Sequence, residues 1–424
     1  MLHELGERFG FPLHVVNVDR LRDNARRFLR DASGTARGCE VFYSYKTHPV
    51  PGVLRLLHAQ GLGAEVISHY ELWLARRLGV PPERIVFNGP SKSEEAIRDA
   101  VAAGIGLLNI NHREEVAVVA RIAAALGRRA RVGIRIAVGG GWHGQFGTSI
   151  DDGDALAAFT TALREPSLDV VGLHAHRGGM IRSVAALTQF VTQVLAFADR
   201  LRVELGFEPE ILDLGGSLGT PTVAPLSYRE MRLNRAFGRD VTEPVPAAAL
   251  SIDAYCAAVM AQVDAHYRAG ARRRPRIFLE PGRAVTGDAQ LLLASVLSIK
   301  QQGSRRFAIL DAGINLAEAC RSEHHFLFAA NRAAEARSAQ HTLVGPICTP
   351  GDTLYWSVRL PALQPNDSLA IMDSGAYFVP FATSFSFPQP AIVAVEHGEA
   401  RLLRRAETFE DLTSLDVQDP DRPA

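Results

Sequence analysis

The sequence predicts an α/β fold, in which an N-terminal (β/α)8 barrel of the TIM type is followed by a C-terminal, mostly β domain. Eight short apolar runs alternate with helix-patterned stretches through the first two thirds of the 424-residue chain. Such alternation is typical of parallel strands joined by crossover helices, and eight units in about 250 residues match a TIM-type barrel. A doubly wound sheet is the alternative, because strand runs alone do not show whether a sheet closes.

The eight predicted barrel strands are separated by segments with a helical period, such as 68–79, 91–104 and 112–127. The strand runs are VFYSY at 41–45, GAEVI at 63–67, RIVFN at 84–88, GLLNIN at 106–111, RVGIRIAV at 131–138, VVGLHAH at 170–176, EILDLGG at 210–216 and RIFLEPG at 276–282.

The C-terminal third has a different pattern, in which apolar runs are bounded by Gly, Pro and Asp and lack a helical period. This pattern predicts strands within 291–300, 305–313, 341–358, 368–377 and 391–405. We expect the first apolar run, 12–19, to pair with this domain, and 219–250 to be a loop or insertion. The predicted domains are 20–285 for the barrel and 1–19 with 286–415 for the β domain, followed by a tail at 416–424.

The composition excludes several classes of protein. Forty-six Lys and Arg balance 46 Asp and Glu, and 47% of residues are apolar, so neither a disordered chain nor a nucleic-acid or membrane surface built on bulk charge is expected. The four cysteines have no metal-ligand spacing, so we expect neither a metal site nor a disulfide framework. The N-terminal segment lacks the features of a signal peptide, and no apolar run is long enough to span a bilayer, so a cytoplasmic location is expected.

The active site of a βα barrel lies at the carboxyl ends of its strands, where this sequence places an amine, imidazoles, a carboxylate and glycine turns. Lys46 follows the first run; its amine is either desolvated and reactive or reaches out to solvent. His176 either stacks on a cofactor ring or is a structural residue. Glu280 could bond a protonated ring nitrogen and Arg283 a phosphate or carboxylate, although the two could instead form a structural ion pair. Together these groups suggest pyridoxal 5′-phosphate.

At this point the sequence resembles a known family, the fold-type III decarboxylases of diaminopimelate, ornithine and related amino acids. The resemblance runs from about residue 12 to residue 400. It is carried by YSYKTHP, GAEVISHYEL, FNGPSKSEEAI, GLHAHRGG, LDLGGSLG, LEPGRAV, LDAGIN, VGPICTPGD and DSGAYFVP. Several motifs in the family's order make a far more specific signal than any one of them.

The resemblance implies a role for each matched residue. Lys46 would carry the cofactor aldehyde, His176 would stack on the ring and Glu280 would pair with the pyridine nitrogen. The phosphate would lie among Gly216, Gly282, Arg283 and Tyr377. Cys348 would act as proton donor in the partner subunit's site, so the resemblance also implies a homodimer with shared active sites and an amino acid as substrate.

Two departures from the family pattern bear on the substrate. Thr349 stands where relatives carry an acid that grips the distal amine, and Arg321 is shifted by two residues from the arginine that helps to bind the distal carboxylate of diaminopimelate. We therefore expect Thr349, Arg321 and Arg283 to bind a distally modified diamino acid, such as a siderophore intermediate. The alternatives are a diaminopimelate or basic amino-acid decarboxylase, a racemase or epimerase, and a non-catalytic regulatory homologue. Glu280 and Cys348 argue against the racemase.

Overall fold

The computed structural model describes residues 1–31, 33–139 and 144–416. The chain divides into two compact units. The barrel unit consists of Leu21–Pro221 and Pro246–Thr286, and the β unit consists of Met1–Arg20, Thr222–Val245 and the chain from Gly287 onward. Of the tail expected at 416–424, residues 417–424 lie outside the described residues.

The barrel unit contains a closed parallel sheet, as the alternation of runs predicts, and the doubly wound alternative is wrong. Each of the eight predicted runs contains a strand of this sheet. The first to eighth barrel strands are Glu40–Ser44, Gly63–Val66, Ile85–Phe87, Leu107–Ile110, Ala130–Ala137, Leu168–Ala175, Ile211–Asp213 and Arg276–Leu279. Neighbours along the chain pair with one another, the eighth strand pairs with the first, and all of these pairs are parallel. A short additional strand, Thr148–Ser149, pairs with the fifth.

Helices join the barrel strands, and serine begins several of them. Ser68, Ser93, Ser183 and Ser251 each accept a hydrogen bond from the backbone N–H three residues on, which satisfies one of the unpaired donors of a helix N-terminus. The helices assigned to the barrel unit, beginning with one that starts at the unit boundary, are Val18–Leu29, Pro51–His58, His69–Arg77, Glu94–Ala103, Arg113–Ala125, Asp154–Leu163, Val184–Leu205, Ile252–Ala269 and Arg283–Thr286.

The barrel interior contains a buried apolar cluster contributed by strands around the barrel. Phe42 and Phe278 are in contact at its centre, with ring centroids 4.6 Å apart. A Cβ at Gly63 would lie 2.5 Å from the Phe42 ring, so glycine at this position leaves room for the aromatic side chain. The members of the cluster are Phe42, Val86, Leu107, Val171, Ile211 and Phe278.

The β unit is built around the long strand Gln290–Gln302, which pairs with several others. The strand Leu13–Asn17 runs antiparallel to it and parallel to Ala391–Glu396, so the pairing expected for 12–19 is observed. The remaining strands of the unit are Ala224–Pro225, Arg305–Leu310, Glu323–His324, Leu327–Ala329, Ala339–Val344, Thr353–Leu360, Ser368–Ile371 and Glu399–Arg404, and its helices are Leu2–Phe9, Tyr228–Phe237, Ile314–Ala317, Phe378–Phe381 and Phe409–Leu412.

The segment 219–250 is not simply a loop. It contains the helix Tyr228–Phe237, and its strand Ala224–Pro225 pairs with Glu323–His324. The Pro- and charge-rich flanks conceal the helix in the sequence. Ser227 and Glu230 form a capping box at its start, and this S-x-x-E spacing is the signal that could have revealed it.

One stretch, Pro246–Ala269, has the length and mean hydropathy, 1.3, of a possible membrane span. The sequence contains no continuous apolar run of that length, so this helix was not expected. Core helices of globular proteins satisfy the same criterion. Its helical part connects the seventh and eighth barrel strands, and Asp253 forms ion pairs with Arg27 and Arg37. These positions identify the stretch as a crossover helix of the barrel.

We expect Phe42→Ala to lower the free energy of unfolding of the barrel unit by about 3–5 kcal/mol, because it leaves a cavity among close-packed side chains. Thermal or denaturant unfolding measures the change. Phe237→Ala removes the same atoms from a side chain that is 81% exposed and serves as the matched control. Equal effects of the two substitutions would contradict the assignment of Phe42 to the core.

Candidate active site

Buried polar side chains converge at the carboxyl ends of the barrel strands. Glu65 and Asn109 lie in the second and fourth strands, Asp213 ends the seventh, and Asn88 and Glu280 directly follow the third and eighth. None of the five is more than 4% exposed. They meet because parallel strands of a barrel all end at the same rim.

Lys46 lies in a single 3-10 turn, Tyr45–Thr47, directly after the first strand. Its Nζ is 2.9 Å from Oε2 of Glu65, a carboxylate with no exposed side-chain surface. The hydroxyl of Ser44 donates to the same oxygen. The amine is therefore directed at a buried carboxylate, and the alternative in which it only reaches out to solvent is wrong.

Two asparagine amides connect the three buried carboxyl groups. Nδ2 of Asn88 donates to Oε1 of Glu65 at 2.9 Å and to Oε1 of Glu280 at 2.6 Å. Nδ2 of Asn109 donates to Oδ1 of Asn88 at 2.8 Å and to Oδ2 of Asp213 at 3.1 Å. A continuous hydrogen-bond network thus runs from the lysine to the far side of the barrel mouth.

Glu280 and Asp213 form a hydrogen-bonded pair of carboxyl groups. Burial raises the pKa of Glu280 well above its usual value, and the charges of Asp213 and Glu65 raise it further. Burial also raises the pKa of Asp213. Two neighbouring carboxyl groups in a medium of low dielectric constant favour retention of a proton, which agrees with the raised pKa of both groups.

His174 completes this part of the site. Its Nε2 lies 3.8 Å from Oε2 of Glu280, and burial, with the charge of Arg135 second, holds its pKa well below the usual value. The imidazole is therefore neutral at pH 7. His174, Asp213 and Glu280 each offer an atom within 4.8 Å of the others, a spacing at which a metal ion could bind. Two of the three, Asp213 and Glu280, are also hydrogen-bonded to each other.

His176 follows the sixth strand and contacts the glycine turn after the seventh. Burial, followed by the charges of Lys46 and Arg135, lowers its pKa well below the usual value. Its Nδ1 accepts a hydrogen bond from the N–H of Gly216 at 3.3 Å, and Nε2 lies 3.3 Å from Oγ of Ser217. A neutral imidazole with its hydrogen on Nε2 satisfies both contacts.

Two glycines keep the floor of the site free of side chains. A Cβ at Gly216 would lie 2.3 Å from the carbonyl oxygen of Glu280, and a Cβ at Gly282 would lie 2.0 Å from Oγ1 of Thr47. The hydroxyl of Tyr255 donates to the carbonyl oxygen of Gly216 at 3.0 Å and fixes that turn. Arg283 begins the short helix after Gly282.

Four predicted site residues belong to the β unit. Cys348 and Thr349 are exposed in the segment 345–352, where Oγ1 of Thr349 accepts from the N–H of Gly351 at 3.3 Å. Arg321 is half exposed, and its guanidinium lies 3.4 Å from Glu318. Tyr377 has a left-handed backbone conformation, with φ of 69°.

The segment that carries Cys348 is held by a buried carboxylate. Asp352 accepts hydrogen bonds from the N–H of Ile347 at 2.7 Å and of Ile314 at 2.8 Å. A Cβ at Gly313 or Gly345 would come within 2.5 Å of this carboxylate, so both positions require glycine. The thiol is therefore presented on an ordered turn.

The structure thus gathers Lys46, His176, Gly216, Glu280 and Gly282 at one barrel mouth. Sequence reasoning missed Glu65 and Asp213, because both lie inside apolar runs that were assigned to strands. A charged residue within a strand that is buried on both faces is the signal that could have found them.

The chain matches a known protein family over most of the barrel unit. The model of the pyridoxal-dependent decarboxylases, pyridoxal binding domain, matches residues 19–287. The chain belongs to this decarboxylase family. Its cofactor is pyridoxal 5′-phosphate, and it is a carboxy-lyase, so neither the racemase nor the non-catalytic alternative holds.

Relatives of this decarboxylase match over nearly the whole chain. The diaminopimelate decarboxylase of Aquifex aeolicus is 30% identical over 98% of this chain and 94% of its own, and that of Zymomonas mobilis is 31% identical over 97% and 94%. A crystal structure of the M. jannaschii enzyme in complex with L-lysine matches 99% of this chain and 94% of its own, with a TM-score of 0.84 at 27% identity. The expected closeness to siderophore-type members finds no support among these relatives.

The residues at the barrel mouth of this decarboxylase fit the cofactor. An aldehyde requires an amine, which Lys46 supplies, and a pyridine nitrogen requires a carboxyl group such as that of Glu280. The backbone at Gly216 and Gly282 offers a surface without Cβ atoms, which a phosphate group can approach closely.

We expect Gly282→Ala to weaken cofactor binding at least about tenfold, because a Cβ at 282 forces the turn carrying Lys46 away from Glu280 at a cost of about 1–3 kcal/mol. Fluorescence titration with pyridoxal phosphate measures the affinity. Gly139→Ala, whose Cβ would lie 3.4 Å from Gln193 in ordinary contact, is the control. Unchanged affinity in Gly282→Ala would contradict the close packing of the two turns.

Proposed function

We propose that this decarboxylase removes the α-carboxyl group of a diamino acid of the diaminopimelate or basic amino-acid class. The main observation in support is the buried hydrogen-bond network. At one end the Lys46 amine donates to Glu65, and Asn88 connects Glu65 to Glu280 at the other end. In this arrangement Lys46 would bind the aldehyde and Glu280 would face the pyridine nitrogen of the same cofactor. The substrate class is supported by the diaminopimelate decarboxylases that match this chain along its length.

Lys46 is the proposed attachment point of the cofactor. The chain has three lysines. Lys92 is buried against Glu115 and donates to the carbonyl oxygen of Asn109, and Lys300 is an exposed residue of the β unit. Lys46 directly follows the first barrel strand, and Glu65 accepts a hydrogen bond from its amine.

Glu280 is the proposed partner of the pyridine nitrogen. When bound, pyridoxal phosphate supplies the sink for the electron pair left on the substrate as CO2 departs, and a protonated nitrogen strengthens that sink. Burial and the neighbouring charges of Asp213 and Glu65 raise the pKa of Glu280, which favours retention of a proton at this end of the site. His176 is proposed to stack on the ring, and its hydrogen bond to Gly216 holds the imidazole in place.

The remaining proposed roles concern the phosphate and the proton returned to the substrate. Gly216, Gly282, Arg283 and Tyr377 would surround the phosphate. Cys348 would return a proton to the decarboxylated carbon in the site of a neighbouring subunit, and its exposed position on an ordered turn suits that task. Because this role requires a second subunit, we infer a homodimer. The cytoplasmic location expected from the sequence stays a prediction.

We expect Lys46→Ala to abolish turnover and covalent attachment of the cofactor, because Lys92 is held by Glu115 and the carbonyl oxygen of Asn109 and Lys300 is exposed in the β unit. Reduction of the cofactor-loaded wild type with borohydride, followed by peptide mass mapping, should find the added mass at Lys46. Lys300→Ala, which changes an exposed lysine of the β unit, should retain both properties. Label at Lys92 or Lys300 in the wild type would contradict the proposal.

A distally modified diamino acid is the second candidate substrate, and Thr349 favours it. A neutral hydroxyl, already accepting from Gly351, gives a free distal ammonium no charge-assisted bond. The ion pair of Arg321 with Glu318 is exposed and stabilises little, so an anionic substrate group could replace it.

CO2 release across one panel distinguishes the two candidates. The panel holds meso-diaminopimelate, lysine, ornithine, arginine and citrate-conjugated diamino acids. We expect turnover of diaminopimelate or a free basic amino acid; turnover confined to the conjugates would favour the second candidate instead.

Thr349→Glu should raise kcat/KM for a free diamino acid relative to a conjugate by about tenfold, since it adds a charge-assisted hydrogen bond to the distal ammonium. Initial rates of CO2 release on both substrates give the ratio. The control is Thr413→Glu, which adds the same charge at an exposed threonine. An unchanged ratio would remove Thr349 from the substrate-binding surface.

A further inference from the structure

Asn88 occupies a central position in the buried network of the barrel mouth. Its side chain is only 4% exposed, and every polar atom of its amide is used. The two hydrogens on Nδ2 go to Glu65 and Glu280, and Oδ1 accepts from Asn109. No apolar residue of similar size could satisfy these three partners.

The orientation of this amide follows from the chemistry of its neighbours. Nδ2 of Asn109 donates to Oδ1 of Asn88, which leaves the nitrogen of Asn88 to face Glu65 and Glu280. Those two carboxyl groups would otherwise repel each other in a region of low dielectric constant. One amide group therefore offsets the repulsion and sets the distance between them.

We propose that Asn88 is a positioning residue that couples the lysine end of the cofactor site to the ring-nitrogen end. It holds Glu65 against Lys46 with one hydrogen and Glu280 in place with the other. The proposal rests on the proposed roles of Lys46 and Glu280, and Asn88 itself acts through these two carboxyl groups.

The backbone supports this arrangement through Asn109. Asn109 in the fourth barrel strand pairs with Gly133 in the fifth, and a Cβ at 133 would lie 2.2 Å from Oδ1 of Asn109. Glycine at that position admits the asparagine side chain, whose amide joins Asn88 to Asp213. The pairing of these two strands thus makes room for the side chain that connects Asn88 to Asp213.

The charges around Asn88 determine how a substitution would behave. Within the described residues, the titratable and charged groups of this network are Lys46, Glu65, Arg135, His174, His176, Asp213 and Glu280. Glu71 acts on Glu65 from the next helix, and the Lys92–Glu115 pair lies beside Asn109. A carboxyl group introduced at position 88 would face Glu65 and Glu280, and both burial and these charges would raise its pKa.

The effect of Asn88→Asp on cofactor affinity should depend on pH. Below its raised pKa, the carboxyl group introduced by Asn88→Asp carries an O–H that can replace one of the lost hydrogen bonds. Above that pKa it is ionised and repels both neighbours. The loss of cofactor affinity relative to the wild type should therefore grow as the pH rises, whereas Asn88→Ala lacks a donor at every pH.

The experiment titrates the purified full-length variants with pyridoxal phosphate between about pH 6 and about pH 9 and follows both the dissociation constant and the visible absorbance of the bound cofactor. Each variant should bind at least about tenfold more weakly than the wild type, as expected when a hydrogen bond to a charged group is lost. The ratio to the wild type should rise by about a further tenfold with pH for Asn88→Asp and clearly less for Asn88→Ala. Equal losses at all pH values, or none, would overturn the proposal.

Two controls separate this role from general loss of structure. Asn111→Asp changes another buried asparagine of the same rim, whose amide donates to the carbonyl oxygens of Pro90 and Gln145. It should lower the melting temperature without a pH-dependent loss of cofactor affinity, and a loss like that of Asn88→Asp would overturn the proposal. Far-UV circular dichroism verifies folding.

A double-mutant cycle keeps the test valid if Asn88→Asp does not fold. If Asn88 acts through Glu280, Glu280→Gln should cost markedly less cofactor affinity in the Asn88→Ala background than in the wild type. Additive losses would overturn the proposal. Failure of the proposed function itself would appear elsewhere, as borohydride labelling away from Lys46.

Discussion

Three carboxyl groups, those of Glu65, Asp213 and Glu280, lie buried together at the mouth of the barrel, and the rest of the site depends on how their charge is stabilised. Burial of an unpaired carboxylate costs several kcal/mol or more. Here the Lys46 amine and the amides of Asn88 and Asn109 donate hydrogen bonds to them, and burial raises the pKa of both Asp213 and Glu280. Lys46 and Glu280, which we propose to bind the cofactor, therefore both belong to this network.

Glycine occupies the backbone positions that these side chains approach most closely. A Cβ at Gly133 would meet Asn109, one at Gly216 would meet the backbone of Glu280, and one at Gly282 would meet Thr47. Each glycine therefore removes an obstacle at a point where two strand ends converge. Glycine loses more conformational entropy on folding than other residues. Hydrogen bonds such as that from the Tyr255 hydroxyl to the carbonyl oxygen of Gly216 offset part of this cost.

The strand pattern allowed most of the barrel to be predicted, since each of the eight apolar runs contains a barrel strand. The location of Lys46, His176 and Glu280 at the barrel mouth was predictable, because each of them follows a strand. Glu65 and Asp213 were not, because a residue inside a strand reveals its inward direction only when the register of the whole sheet is known. The helix Tyr228–Phe237 was missed because its flanks resemble a loop.

The sequence by itself determined the fold class, the pyridoxal phosphate chemistry and the family, since motifs in a fixed order carry that information locally. The prediction of a siderophore-type substrate rested on two isolated positions, Thr349 and Arg321, and the matching relatives do not support it. Only the tertiary structure decided which groups share hydrogen bonds: Asn88 meets Glu280 across 192 residues of chain, and Asn109 meets Asp213 across 104. Contacts at such separations depend on barrel closure, which no local pattern specifies.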